Sequence, residues 1–210
     1  MKKSITLAIG IFLLINTKSV AQLRNERDFL SGPVAGFGHS WVSTGSAMFI
    51  PSGYVGISCI DFTGRHIAIG GQLAASPEGF RINYYGTQQT VIPVYLRVPL
   101  RAYYFFREHT ARFRPDIFFG PSFGLKLSEY STPGTNYKDR YMARNPEVFK
   151  RFDFGLDGGA GIDITLTEKT SINVALEYYK GITDVIKEPL ENNEENHDLE
   201  LSLSLLFKIR

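Results

Sequence analysis

The stretch Asp198–Ile209 constrains the fold more than any other part of the chain. Leu199, Leu201, Leu203, Leu205 and Phe207 fall on one face, and Asp198, Glu200, Ser202, Ser204 and Lys208 on the other. Successive side chains leave a strand on opposite sides, so this alternation has the period of a strand with two different environments. About ten alternating residues ending near an aromatic match what a tilted strand needs to cross a membrane. A soluble sheet with one wet face alternates in the same way. The rest of the chain must therefore decide between them.

The first residues argue for export. Met1-Lys2-Lys3 is basic, Ile5–Ile15 is apolar apart from Thr6 and Gly10, and Ser19-Val20-Ala21 supplies the small residues a signal peptidase reads. This predicts a signal peptide over residues 1–21 and one domain over residues 22–210, beginning at Gln22. The apolar run falls short of the roughly 20 residues of a spanning helix, and no later stretch could span as one. Removing the leader takes Lys2, Lys3 and Lys18 but no acid, so Lys plus Arg falls from 23 to 20 against 21 acids. The formal charge of +2 becomes −1, and with it goes the electrostatic case for nucleic acid as a partner. Cys59 is the single cysteine. An exported chain of this kind must rely on packing and hydrogen bonds rather than an internal disulfide, with Cys59 a small apolar residue in a strand.

Alternation recurs along the chain and predicts eight strands: Pro33–Val42, Tyr54–Phe62, His66–Ala75, Thr90–Phe106, Arg112–Ser128, Arg151–Leu166, Ser171–Thr183 and Asp198–Ile209. In the fourth, Val94, Leu96, Val98, Leu100 and Ala102 oppose Tyr95, Arg97, Pro99, Arg101 and Tyr103. In the sixth, three aspartates (Asp153, Asp157, Asp163) share a face with Gly155, Gly159 and Gly161. Pro115 and Pro121 interrupt the fifth, and because proline removes a ladder donor, both are expected at bulges or where pairing is relaxed. The connections alternate too. Residues 44–53, 76–89, 129–150 and 184–197 are long, whereas 63–65, 107–111 and 167–169 are short. That asymmetry belongs to outer-membrane barrels, and an even strand number puts both termini and the short turns in the periplasm.

A soluble lipocalin-like calyx would also carry a leader and alternate, but with apolar residues inside and charge outside. Here the uncharged face holds aromatic and aliphatic side chains in strand after strand, and the charged face is rich in glycine and serine. The expected fold is thus all-β, an eight-stranded antiparallel up-and-down transmembrane β-barrel.

Four segments carry a resemblance: Ile92-Pro-Val-Tyr-Leu-Arg-Val-Pro-Leu100, Phe119-Gly-Pro-Ser-Phe-Gly-Leu125, Phe152-Asp-Phe-Gly-Leu-Asp-Gly-Gly-Ala-Gly161 and Leu176-Glu-Tyr-Tyr-Lys-Gly-Ile182. They resemble the PorT-like outer-membrane β-barrel family of Bacteroidetes. The resemblance spans nearly the whole mature chain and implies an eight-stranded outer-membrane barrel. It also implies protein secretion as an alternative role, because the member that gave the family its name is tied to secretion.

On this register Arg97, Arg101, Arg114, Asp116, Lys126, Asp153, Asp157, Asp163, Glu177, Glu200 and Lys208 face inward. The interior of an eight-stranded barrel is just wide enough for side chains to fill. Arg97, Arg101, Arg114, Asp116, Asp153, Asp157, Asp163, Glu177 and Glu200 are therefore expected to form a polar, ion-paired lumen with no open channel. No catalytic residues are assigned, because His39, His66, His109 and His197 are spread over the barrel and no nucleophile-elbow serine occurs. No metal or other cofactor is expected, since the acidic run Glu191–Glu195 lacks the spaced Asp and Gly of a calcium loop. The loop over 131–146 carries Tyr137, Arg140, Tyr141 and Arg144, residue types that anchor contacts. The functional expectation is a non-enzymatic barrel presenting outer loops, with outer-membrane lipid as its surroundings and cell-envelope or secretion proteins as its candidate partners. A secretion component and a small passive pore are the alternatives.

Overall fold

A computed structural model describes residues 28–43, 47–48, 50–84, 87–108, 111–131, 149–186 and 194–209. The expected signal peptide, His109 and the candidate contact residues Tyr137, Arg140, Tyr141 and Arg144 lie outside the described residues. Among the described residues ten strands are formed: β1 (Phe29–Val42), β2 (Ala47–Met48), β3 (Ile50–Phe62), β4 (Ile67–Pro77), β5 (Phe80–Tyr84), β6 (Thr87–Phe105), β7 (Phe113–Ser131), β8 (Phe152–Thr167), β9 (Thr170–Gly181) and β10 (Asn196–Lys208). All pairings are antiparallel, and eight of the strands close on themselves in the order β1-β3-β4-β6-β7-β8-β9-β10. The first and last of these seal the cylinder over a register running from Leu30↔Lys208 to Val42↔Asn196. Closure removes the unpaired edges that an open sheet would present to lipid.

The two remaining strands correct the loop assignment. The connections over 44–53 and 76–89 are not loops throughout: β3 starts at Ile50, β6 at Thr87, and the short β2 and β5 lie between. β5 pairs with β6 and β2 pairs with β5, so the sheet continues past the rim as a ribbon. Backbone donors there are met by pairing, which the alternation rule, tuned to the membrane-crossing portion, does not detect.

The prolines behave as the missing donor dictates. The carbonyl of Pro115 accepts from the Phe106 N–H just past the last β6–β7 pair, Phe105↔Asp116. Pro121 shares that orientation along β7, and the β6–β7 register steps from Ala102↔Phe119 to Pro99↔Ser122, leaving Gly120 and Pro121 out. Both prolines remain paired toward β8, opposite Ile162 and Leu156.

The outer surface is apolar around the cylinder. Phe37, Val55, Ile69, Phe119, Leu176, Leu201 and Leu203 are all at least half exposed, Phe37 at 68%. Exposed apolar side chains on strand after strand around a cylinder are rare in water-soluble monomers and have the character of a lipid-facing band. Toward the end bearing the long connections the belt turns amphipathic. Trp41 stacks on His197 with ring centroids 5.3 Å apart, the Tyr178 hydroxyl lies 3.0 Å from His197 Nδ1, and Lys180 stands opposite His197 on β9. Amphipathic rings of this kind favour a membrane–water boundary.

The interior departs from the uniformly polar filling expected from sequence. At the short-turn end Leu30, Ile60, Phe62, Ala68, Tyr103, Phe105, Phe118, Ala175 and Leu206 form an apolar cluster inside the cylinder. At the other end Val42, Val91, Tyr95, Phe149, Val185 and Ile186 form a second. Phe149 and Ile186 bridge to each other from two long connections, so chain outside the strands folds in to complete this layer. The charged residues lie between and around these layers.

Candidate functional site: the charged interior

Arg97 shows how the polar interior is built. On β6 it stands opposite Gly124 of β7, which stands opposite Asp153 of β8. Because the intervening residue has no side chain, the guanidinium crosses a whole strand and its Nη2 donates to Asp153 Oδ2 at 2.6 Å. A Cβ at Gly124 would sit 2.8 Å from Arg97 Nη1. Arg97 Nε also donates to Glu78 Oε1 at 2.6 Å, and Nη2 to the other Glu78 oxygen. Glu78 follows β4 and is carried inward by a turn through Gly79, whose φ of 152° suits glycine and whose Cβ would meet the Val91 carbonyl. Asn196 donates to Glu78, and the Tyr179 ring lies 4.1 Å from the Arg97 guanidinium carbon.

The same device recurs one turn of the pattern away. Arg101 donates to both oxygens of Asp157 at 2.5 and 3.0 Å, past Gly120 of β7, which pairs with Asp157. It donates again to Glu177 at 2.7 Å and packs its face against Phe118 at 4.5 Å. Glu177 also accepts from Tyr54 at 2.9 Å and Ser202 at 2.5 Å, and Glu200 accepts from Ser52 at 3.1 Å. Tyr54 reaches across because Gly36 of β1 leaves room for its ring. A third group gathers near the short-turn end. Arg114 donates to Asp163 at 2.7 Å, Ser171 donates to the other Asp163 oxygen at 3.0 Å, and Asn173 donates to Asp116 at 3.0 Å.

All nine interior residues singled out from sequence are buried, and they fall into these three groups. Lys126 and Lys208, also assigned inward, stand apart: Lys126 bonds Glu129 and the Phe149 carbonyl, and Lys208 pairs at 2.5 Å with Asp28 at the partly exposed short-turn rim. Sequence reasoning missed Glu78, which it left in a loop, and the supporting Tyr54, Asn173, Tyr179 and Asn196. His197 and Asp198 part across the wall, since neighbours in a strand face opposite ways: His197 lies against Trp41, and Asp198 points inward with 4% exposure, on the polar face of the last strand.

Two properties define what this interior can do. Charge is unbalanced, because Glu78, Asp116, Asp153, Asp157, Asp163, Glu177, Asp198 and Glu200 are buried with only three arginines among the described residues. Space is scarce: a cavity of about 40 Å³ lies among Tyr54, Glu78, Arg97, Arg101, Asp157, Glu177, Tyr179, Asp198 and Glu200. Among the described residues no three His, Cys, Asp or Glu side chains converge as a ready metal cage.

Comparisons with known proteins agree with this architecture. A family model described as outer membrane protein beta-barrel domain matches residues 53–187. No curated protein matches the sequence. Among solved structures, the outer membrane protein OprG from Pseudomonas aeruginosa superposes with a TM-score of 0.56 at 14% identity, covering 87% of this chain and 96% of that one. Neisserial surface protein A superposes with a TM-score of 0.53 at 12% identity, covering 88% of this chain and 100% of that one. At such identities the likeness is one of fold.

Proposed function

This chain belongs to the outer membrane protein beta-barrel domain family, and we propose that it is a non-enzymatic, non-conducting member that anchors extracellular loops for structural or binding roles. One observation carries the reading: apolar layers at both ends enclose an ion-paired middle, where the described residues surround a cavity of about 40 Å³. A water-filled pathway needs a continuous polar opening, and an eight-stranded interior of this kind is occupied by its own side chains. In this reading the short turns and both termini are periplasmic, the long connections face outward, and Tyr137, Arg140, Tyr141 and Arg144 are the loop residues for partner contact. The test is planar-bilayer recording of the reconstituted protein. No steady single-channel current is expected, and a reproducible conductance that scales with protein would overturn the proposal in favour of a passive pore.

The PorT-like segments favour a second reading, participation in protein secretion. They fall on β6, β7, β8 and β9, one continuous side of the wall. Comparing secreted and periplasmic proteomes with and without the protein separates the two. Cargo retained in the periplasm would favour secretion, and unchanged export would leave the loop-mediated role.

A further inference from the structure

The interior holds a carboxylate that the ion-pair groups leave out. Asp198 is 4% exposed, lines the cavity, and its Oδ1 has no hydrogen-bond partner among the described residues. Arg97 and Tyr179 also line the cavity, and each carries a buried polar atom without a hydrogen-bond partner among the described residues, Nη1 and the hydroxyl. The unpartnered Asp198 oxygen indicates an occupant, because buried polar groups in folded proteins are almost always bonded to protein, water or ion. The charges around the void narrow its chemistry. Glu78, Asp157, Glu177, Asp198 and Glu200 line it with only Arg97 and Arg101 to oppose them, and Arg97 is further shared with Asp153. Waters can complete hydrogen bonds but bring no countercharge, and an unopposed buried carboxylate is costly.

We propose that this cavity is a site for one hydrated divalent cation, held by the Asp198 and Glu200 carboxylates with bridging waters to Arg97 Nη1 and the Tyr179 hydroxyl. A volume of about 40 Å³ accommodates a few water-sized occupants. A small hard cation that keeps several waters and takes one or two carboxylates fits a site without a preformed three-carboxylate cage. Asp198 and Glu200 are two apart on β10 and so face the same way, and Glu200 is oriented by Ser52 at 3.1 Å.

The site lies beneath the Val42, Val91, Tyr95, Phe149, Val185 and Ile186 layer, so the ion is best supplied while the barrel forms. Wild type, Asp198→Asn and Glu200→Gln are folded from urea into detergent with MgCl2, or with EDTA at matched ionic strength. Free metal is then removed, bound magnesium measured by elemental analysis, and the urea midpoint recorded. The expected result is about one Mg2+ per wild-type chain, a midpoint above that of the EDTA sample, and loss of both in Asp198→Asn. Glu200→Gln provides the same comparison if Asp198→Asn fails to fold. Wild type that retains no magnesium would overturn the site and leave protons to neutralise the acids. Equal retention by wild type and both variants would also overturn it, and would place an adventitious ion on the surface.

Discussion

Arg101→Met tests whether the interior ion pairs are mutually dependent. Arg101 is 3% exposed and satisfies Asp157 through two hydrogen bonds and Glu177 through two more, at 2.7 and 3.3 Å. Methionine keeps most of the aliphatic volume and the packing on Phe118 while deleting the charge. Two buried carboxylates then lose their cation, and Tyr54 and Ser202 remain as neutral donors to Glu177 alone. Stranding one partner of a buried pair costs about 3–5 kcal/mol. With a urea dependence of about 2 kcal/mol per molar, the unfolding midpoint should fall by about 1.5–2.5 M. The assay is urea unfolding in phospholipid vesicles followed by fluorescence of Trp41, the single tryptophan, with the folded-to-unfolded gel shift as a second probe. Adding Asp157→Asn and Glu177→Gln removes the stranded charges, so the triple variant should recover most of the loss. A single variant within about 1 kcal/mol of wild type, or a triple variant no better than the single, would refute the reasoning.

Three further substitutions probe the wall and its inner face. Leu203 is 54% exposed on the apolar belt, between Ala35 and Val174, so Leu203→Arg should cost about 2–4 kcal/mol if it lies near the bilayer midplane. Ser202→Arg, pointing into a filled interior, should prevent folding instead, and equal mild effects at both positions in the same urea assay would contradict the register. Gly36→Ala would place a Cβ 2.2 Å from Tyr54 Cε1. It should cost about 1–3 kcal/mol through overpacking, and less in a Tyr54→Ala background, which a double-mutant cycle measures.

The wall was largely legible in the sequence, because lipid on one side and side chains on the other impose period two on every crossing strand. Arg97, Arg101, Asp153, Asp157 and Glu177 were assigned to the interior by that parity alone. The apolar layers were harder to see. Three of their residues, Phe105, Phe118 and Leu206, sit in the doublets Phe105-Phe106, Phe118-Phe119 and Leu205-Leu206, in which one member faces out and the other in. A parity reading credits the outward member and passes over its neighbour. Glu78 escaped for a different reason: Pro77-Glu78-Gly79 reads as a turn, and only the path of the backbone through Gly79 shows that the turn delivers its carboxylate to Arg97. The pairing of Arg97 with Asp153 rather than with a residue on the adjacent strand depends on Gly124 being opposite both. That is a property of register across three strands, which no single strand encodes.

Most of these interior contacts join strands that are not neighbours. Ser52 of β3 meets Glu200 of β10, Tyr54 of β3 meets Glu177 of β9, and Arg101 of β6 meets the same Glu177. No hairpin can make them. In a partly assembled sheet entering a bilayer, Arg97, Arg101 and Arg114 could meet Asp153, Asp157 and Asp163 once β6, β7 and β8 pair, but Glu177 and Glu200 would lack Tyr54 and Ser52. The last of the interior carboxylates are therefore satisfied only when β10 meets β1 and brings β3 beside them. The charge distribution thus favours closure, in which the seam between the first and last strands acts as the latch.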